Sequence, residues 1–465
     1  MPLDLAIVGG IVAGTPRGGV READIGISDG KIAALTERGR LDEARSKLDA
    51  GGLLIFPGVV DVHTHFDAEM FGANTADDFE SGSNAAAAGG VTTVVDYAFQ
   101  TPGESLREGV NRWHRKARER AKVDYGFHIA VLDPTSETLT EVPGLVRDGY
   151  SSFKIFMMRG FEARALDFLR FFRAASQNSA LLTIHAEDEN IIAYCTERLY
   201  AEGKRGVDHF AASRPPSSEA VAAARAIAMA QAADAHLYLV HLSSAAVLDE
   251  VKRARVRGSA VIAETRPIYL YLNQGCYEEP KGELFVGYPP LRAEQDVSAV
   301  WEGLADGTID TVATDHCSWC ADQKSSGKGF ARMRPGLSNV ETLLPMLYAE
   351  GVGGGRFGVE RMVELICANP AKIFGLYPRK GVIALGSDAD LVLFDPEAEV
   401  TVRFEQMHSR ADYDPFEGRK VRGWPVATVL RGQVIAKDRT VTAEPGCGKF
   451  LRRAPHDPRW RSLSP

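Results

Sequence analysis

Cysteine is scarce: six in 465 residues, at positions 195, 276, 317, 320, 367 and 447. So thin a set builds no disulfide framework in a chain this long, and a reducing compartment, the cytoplasm, is its simplest home. Cys317 and Cys320 form a C-x-x-C that would suit a redox pair or half a zinc site, but no second C-x-x-C stands anywhere to complete one. No uncharged run approaches the roughly 20 apolar residues of a membrane helix, so no membrane partner is expected. The N-terminal "MPLDLAIVGGIVAG" carries Asp4 and lacks a basic leader; it reads as a strand and glycine turn rather than a signal peptide. Positive charge is also short, with 54 Lys and Arg against 62 Asp and Glu and a net charge of −8, which argues against nucleic acid. The one basic stretch, "RWHRKARER" (112–120), reads as a solvated helix face. Internal repeats and low-complexity segments are missing too.

What is present is 45% hydrophobic residues, enough for one large α/β barrel plus a smaller module. Residues 1–55 are short apolar runs broken by Gly and Asp, with a hairpin signal at "SDGK" (28–31). From 56 to 376, strands such as "VTTVVDYAF", "SSFKIFMM" and "HLYLVHLSS" alternate with amphipathic stretches such as "SSEAVAAARAIAMAQAA". Repeated strand-then-helix order implies parallel pairing, and about eight units imply a closed (β/α)8 TIM barrel. Short-strand texture returns over 377–445, so the expected architecture is a barrel inserted into a small β-sandwich domain formed from both chain termini. Residues 446–465, rich in Pro and Arg, are expected to be an extended tail.

Five of eleven histidines fall at or near C-terminal ends of expected barrel strands: His63 and His65 in "GVVDVHTHFD", His185 in "LLTIHAEDEN", His241 in "LYLVHLSS" and His316 in "VATDHCSW". Barrel active sites form at that face. Two histidines spaced H-x-H on a strand point the same way and can grip one ion. A lone strand-end histidine is more often a satisfied core group. Four strands placing His or Asp at one face point instead to a metal centre built from separated ligands. Lys154, inside the apolar run "SSFKIFMM", belongs with this set: carboxylated by CO2 it becomes a carbamate able to bridge two cations, and burial favours the neutral amine that reacts. The bland alternative is a snorkelling lysine paired with a carboxylate.

Taken together, "PGVVDVHTHFD" (57–67), "TADDFESGSNAAAAGGVTTVVDY" (75–97), "SFKIFM" (152–157), "HAED" (185–188), "SRPPSSEA" (213–220), "LVHLSS" (239–244), "ETRPIYL" (264–270), "PPLR" (289–292), "ATDH" (313–316), "NVETLLPMLY" (339–348) and "GSDADLVLFDP" (386–396) resemble the hydantoinase/dihydropyrimidinase family of cyclic amidohydrolases over nearly the whole chain. By that resemblance His63, His65, carboxylated Lys154 and Asp315 hold one divalent ion, and Lys154, His185 and His241 the second. The resemblance implies Zn2+, although this ligand set alone also admits manganese or cobalt. It further implies a bridging hydroxide with Asp315 as its general base, and assembly as a homotetramer or homodimer. The chemistry is coherent: two cations lower the pKa of water and polarise a carbonyl, while a carboxylate moves the proton. His316 is expected to face away from Asp315, and Asp61, Asp67 and Asp96 to support rather than ligate. Arg214 and Glu219 are expected to brace a loop and helix.

Three positions depart from the family. Where its members carry a substrate-binding tyrosine five residues after the lysine, this chain has Arg159; Tyr288 replaces a serine before "PPLR", and Pro335 replaces an asparagine. A guanidinium suits a carboxylate or an imide-type oxygen pair, and Arg159 and Tyr288 are therefore the candidate substrate-binding residues; the alternative for Arg159 is a surface position displaced by loop length. The expected activity is opening of a small-molecule cyclic amide at a C–N bond, centrally a 5-substituted hydantoin or dihydropyrimidine giving an N-carbamoyl amino acid. The enzyme alternative is an allantoinase- or dihydroorotase-like hydrolase of a carboxylate- or ureido-bearing ring. A silent scaffold, like the dihydropyrimidinase-related signalling proteins, is the remote alternative, since silent relatives lose ligands and this chain keeps all six positions.

Overall fold

Eight apolar runs with no polar face become strands buried on both sides, the signature of a parallel sheet covered by helices. The computed structural model describes residues 3–41, 43–158, 160–325 and 327–464. Its barrel strands are β1 (Val59–Thr64), β2 (Val91–Phe99), β3 (Asp124–Ala130), β4 (Ser152–Phe156), β5 (Leu181–His185), β6 (His236–Leu239), β7 (Val261–Thr265) and β8 (Thr311–Val312). Neighbours pair in parallel in chain order. Closure falls just past β8, where His316 bridges Thr64 and its carbonyl accepts from the His65 N–H at 2.8 Å. The fold is a TIM barrel with a β-sandwich domain.

The smaller domain is one nine-stranded sheet drawn from both ends of the chain. Leu54–Pro57 is the seam: parallel to Leu3–Val12 through Ile11↔Leu54, antiparallel to Leu391–Thr401 through Leu391↔Pro57. Ile7, Ile25, Ile55, Leu391 and Val429 pack into a core of its own. The hairpin over "SDGK" turns at Asp29 and Gly30, both with positive φ (51° and 72°), as a two-residue turn between twisted strands requires.

The tail is extended but does not project. Lys449 and Leu451 pair with Tyr125 at the start of β3, and Arg453 is buried, donating to the Phe127 carbonyl and to Ser152 Oγ. It therefore seals the N-terminal end of the barrel, opposite the histidines. Among the described residues no helix is long and apolar enough to cross a membrane.

Candidate active site

His63 is the next-to-last residue of β1 and His65 lies just beyond the strand; Lys154 lies within β4, and His185 ends β5. His241 and Asp315 follow β6 and β8 in left-handed backbone, φ 43° and 48°, conformations that non-glycine residues adopt at a cost and that gather at functional sites. The structure brings these six to one cavity of about 830 Å3. His65 Nε2 and His63 Nε2 lie 2.9 and 3.1 Å from the same oxygen, Asp315 Oδ1. The three residues thus offer ligand atoms all within 4.8 Å of one another. Beside them His185 Nδ1 and His241 Nε2 are 2.9 Å apart. Lys154 Nζ is buried between the Tyr97 and Phe156 rings, 4.9 and 5.2 Å from their centroids, and has no hydrogen-bond partner among the described residues.

Electrostatics follow the geometry. Burial pulls the Lys154 ammonium down to about 7 against Asp315 and Glu264, and pulls His65 down to about 4. Burial would lower His63 as well, but Asp315 and Glu264 outweigh it and hold it raised. Asp315 is raised by burial, yet Arg266 and the histidines keep it well below the carboxylate range. His63 lies between two carboxylates, those of Glu264 and Asp315, a concentration of negative charge that suits a cation. A buried amine without a partner and nitrogens crowding one carboxylate oxygen fit cation binding better than self-satisfied packing.

Two glutamates that sequence reasoning passed over orient the rings. Glu264 accepts from His63 Nδ1 at 2.8 Å, from the His241 N–H at 3.0 Å and from the Tyr238 hydroxyl at 2.8 Å. Glu187 meets His185 Nε2 at 2.8 Å and is itself gripped by Arg214 through Nε (2.9 Å) and Nη2 (2.5 Å). Such outer partners set which imidazole nitrogen faces inward. Both stand inside motifs noted above, "ETRPIYL" and "HAED", where a second carboxylate near a strand end was the available signal.

The other candidates fall as follows. His316 turns from the cavity: Nε2 lies 2.9 Å from Asp77, and Nδ1 accepts from the Asn339 and Val340 N–H groups. Asp61 accepts from the His63 and Thr314 N–H groups, Asp96 from Trp113 Nε1, and Asp67 lies 3.6 Å from Lys116 Nζ. Glu219 binds the Ser243 N–H and hydroxyl, with Arg292 on Ser243 Oγ, bracing the loop that presents His241. Tyr288 and Pro335 line the cavity, and the Tyr288 ring stacks on Arg214, 3.7 Å from its Cζ. Arg159 lies outside the described residues; its neighbours Met158 and Gly160 line the cavity. The stretch 112–120 is solvated at Arg115, Arg118, Glu119 and Arg120, but one side of its helix (Leu106–Ala117) turns inward, and Arg112, Trp113 and Lys116 line the cavity.

Fold and site together define the class, a barrel hydrolase of the amidohydrolase kind, which is metal-dependent. Comparison with known proteins narrows it. The Amidohydrolase family profile matches residues 54–435. A D-hydantoinase of Ralstonia pickettii is 42% identical over 441 residues, covering 94% of this chain and 96% of that protein. A solved D-hydantoinase superposes with TM-score 0.93 at 40% identity (97% and 99% of the two chains), and the crystal structure of a dihydropyrimidinase from Brevibacillus agri with TM-score 0.94 at 35% identity, with the same coverage. The chain belongs to the amidohydrolase family and, within it, to the hydantoinase/dihydropyrimidinase group.

Proposed function

We propose that this cyclic amidohydrolase adds water across a ring C–N bond of a 5-substituted hydantoin or a dihydropyrimidine and releases the N-carbamoyl amino acid. The observation that carries the reading is the convergence of His63, His65 and Asp315 within 4.8 Å beside the buried Lys154 amine, which has no hydrogen-bond partner among the described residues. His63, His65 and Asp315 would hold one divalent ion and His185 and His241 a second, with a carbamate on Lys154 serving both; zinc is the expected metal. Bound there, the cations would supply a water ionised at neutral pH and would polarise the scissile carbonyl. Asp315 would accept a proton from the attacking water at its carboxylate and return it to the ring nitrogen as the C–N bond breaks, so the elements of one water are added and the product is the carboxylic acid, which then ionises at neutral pH. Glu264 and Glu187 hold the imidazoles in the tautomers that keep their inward nitrogens free. Met70, Phe71 and Leu132 add apolar surface to the cavity lining.

A second reading has its own support. Arg112, Lys116 and Arg164 line the same cavity, so a ring bearing a carboxylate or ureido group, as an allantoinase- or dihydroorotase-like enzyme takes, would find cations at the mouth. Colorimetric release of ureido acids from a panel of neutral and anionic cyclic amides, with metal content measured, separates the two. Asp315→Asn should keep the fold while kcat falls by several orders of magnitude; a fall of less than about tenfold, roughly 1.4 kcal/mol, contradicts the assignment. We further take the protein to be cytoplasmic, consistent with its free cysteines, and to assemble as a homotetramer or homodimer, which sedimentation tests.

A further inference from the structure

Asp315 occupies an awkward place. It follows β8, only two residues long, in a left-handed conformation (φ 48°), and few ladder hydrogen bonds steady that segment. Asp61 holds the Thr314 N–H and hydroxyl on one side and His316 bridges Thr64 on the other, and a single side chain reaches both the backbone and the carboxylate of Asp315. Arg266 comes directly after β7 and before Pro267, so its backbone is constrained on both sides. Its side chain is fully buried. Nε donates to the Thr314 carbonyl at 3.1 Å and Nη2 to the Asp315 carbonyl at 3.4 Å, while Nη1 lies 2.9 Å from Asp315 Oδ2. The other oxygen, Oδ1, is left for His63 and His65.

We infer that Arg266 is a positioning residue that fixes which oxygen of Asp315 faces the histidine pair. This rests on the reading of Asp315 as the proton-carrying base. A buried guanidinium is stable only where its charge is met; here Asp315 Oδ2 meets the charge at 2.9 Å as an ion pair, the Thr314 and Asp315 carbonyls accept from Nε and Nη2, and Nη1 makes no hydrogen bond among the described residues. A fork spanning two carbonyls and a carboxylate is a geometry that a lysine's point charge cannot reproduce. Without it the carboxylate is free to rotate, and the left-handed backbone at Asp315 loses the contacts that over-determine it. Nothing in this role requires Arg266 to touch substrate.

The test compares Arg266→Met, Arg266→Lys and Asp315→Asn in full-length protein. Co2+ titration of metal-stripped protein is followed by absorbance, and kcat and KM for dihydrouracil are then measured per Co2+-loaded site. Arg266→Met should lower kcat at least about a hundredfold with KM within about threefold, and weaken Co2+ binding about tenfold. Arg266→Lys should recover no more than a tenth of the lost kcat. Adding Arg266→Met to Asp315→Asn should weaken Co2+ binding no further, since the two act through one carboxylate. A merely structural arginine would lower Tm and yield but leave kcat per loaded site at the parent level, and that result overturns the inference, as does full additivity in the double variant. If Arg266→Met does not fold, Arg266→Gln is read by the same criteria. An active Asp315→Asn would instead overturn the base assignment itself.

Discussion

A lysine buried in an apolar strand without a partner is costly unless something else supplies one. At the scale of single residues that cost is the strongest sign of how Lys154 is used. Lys154→Ala should remove activity and metal occupancy together, with partial rescue by short carboxylic acids that stand in for a carbamate. Metal analysis of the purified variant checks this, and full occupancy with near-parent turnover and no added acid would contradict the bridging role. Arg159 yields a separate expectation. If it takes the place of the family's tyrosine, as the sequence resemblance implies, its charge would favour anionic substrates through charge-assisted hydrogen bonds. Arg159→Tyr should therefore shift kcat/KM toward neutral hydantoins and dihydropyrimidines. Arg159→Lys should lose part of the activity, because the fork is gone. Unchanged ratios between a neutral and a carboxylate-bearing ring in all three proteins would place Arg159 outside recognition.

At the scale of elements, the barrel strands were legible because runs such as "VTTVVDYAF" have no polar face, and the histidines were legible because strand ends are where barrels carry chemistry. Glu264, Glu187 and Arg266 were not. Each is a charged residue near a strand end whose importance depends on which neighbouring strand it meets, and spacing along the chain does not encode that. The helix Leu106–Ala117 misled for a related reason: Arg112 and Lys116 look solvated until Glu104 and Asp67 are seen to fold them against the cavity wall. The wall bearing Tyr288 and Pro335 depends on another such contact. Lys324 is fully buried, and burial draws its ammonium down to about 7. Its Nζ donates to the Val286 and Gly336 carbonyls at 2.6 and 2.7 Å, tying two loops together. Gly336 allows this approach, since φ is 130° and a side chain there would sit 2.5 Å from the Cys317 carbonyl. Each of these hydrogen bonds contributes about 0.5–1.5 kcal/mol net, and losing both would leave two buried carbonyls unsatisfied. Lys324→Met should accordingly raise KM about tenfold or more while metal content stays at the parent level, and steady-state kinetics with metal analysis reads both.

At the scale of the whole molecule, the two ends of the barrel carry different duties. The C-terminal end holds the cavity. We take residues 56–376 as the catalytic unit and 1–55 with 377–445 as the domain built beside it. The N-terminal end is packed by the tail, described to residue 464, whose burial was not legible because proline and arginine content does not show where an arginine ends up. Leu451 and Trp460 join Val60, Val62, Leu181, Tyr238 and Ile262 in one apolar cluster, and Arg453 reaches the first residues of β4 through Ser152. Each large apolar side chain so buried stabilises the fold by roughly 1.5–3 kcal/mol. Ending the chain after Gly446 removes both, exposes their partners and unties β3 from the Lys449 and Leu451 pairing. The barrel is larger than the about 150–250 residues for which one kcal/mol moves Tm by ~2–4 °C, so the loss should lower Tm by several degrees. The cavity lies at the opposite end of the same strands, so kcat and metal content of the fraction that folds should match the full chain. Calorimetry together with kinetics per metal-loaded site tests both halves. An unchanged Tm would mean that the tail merely rests on the barrel, and a lost kcat in folded, metal-replete protein would mean that the two ends are coupled through the strands.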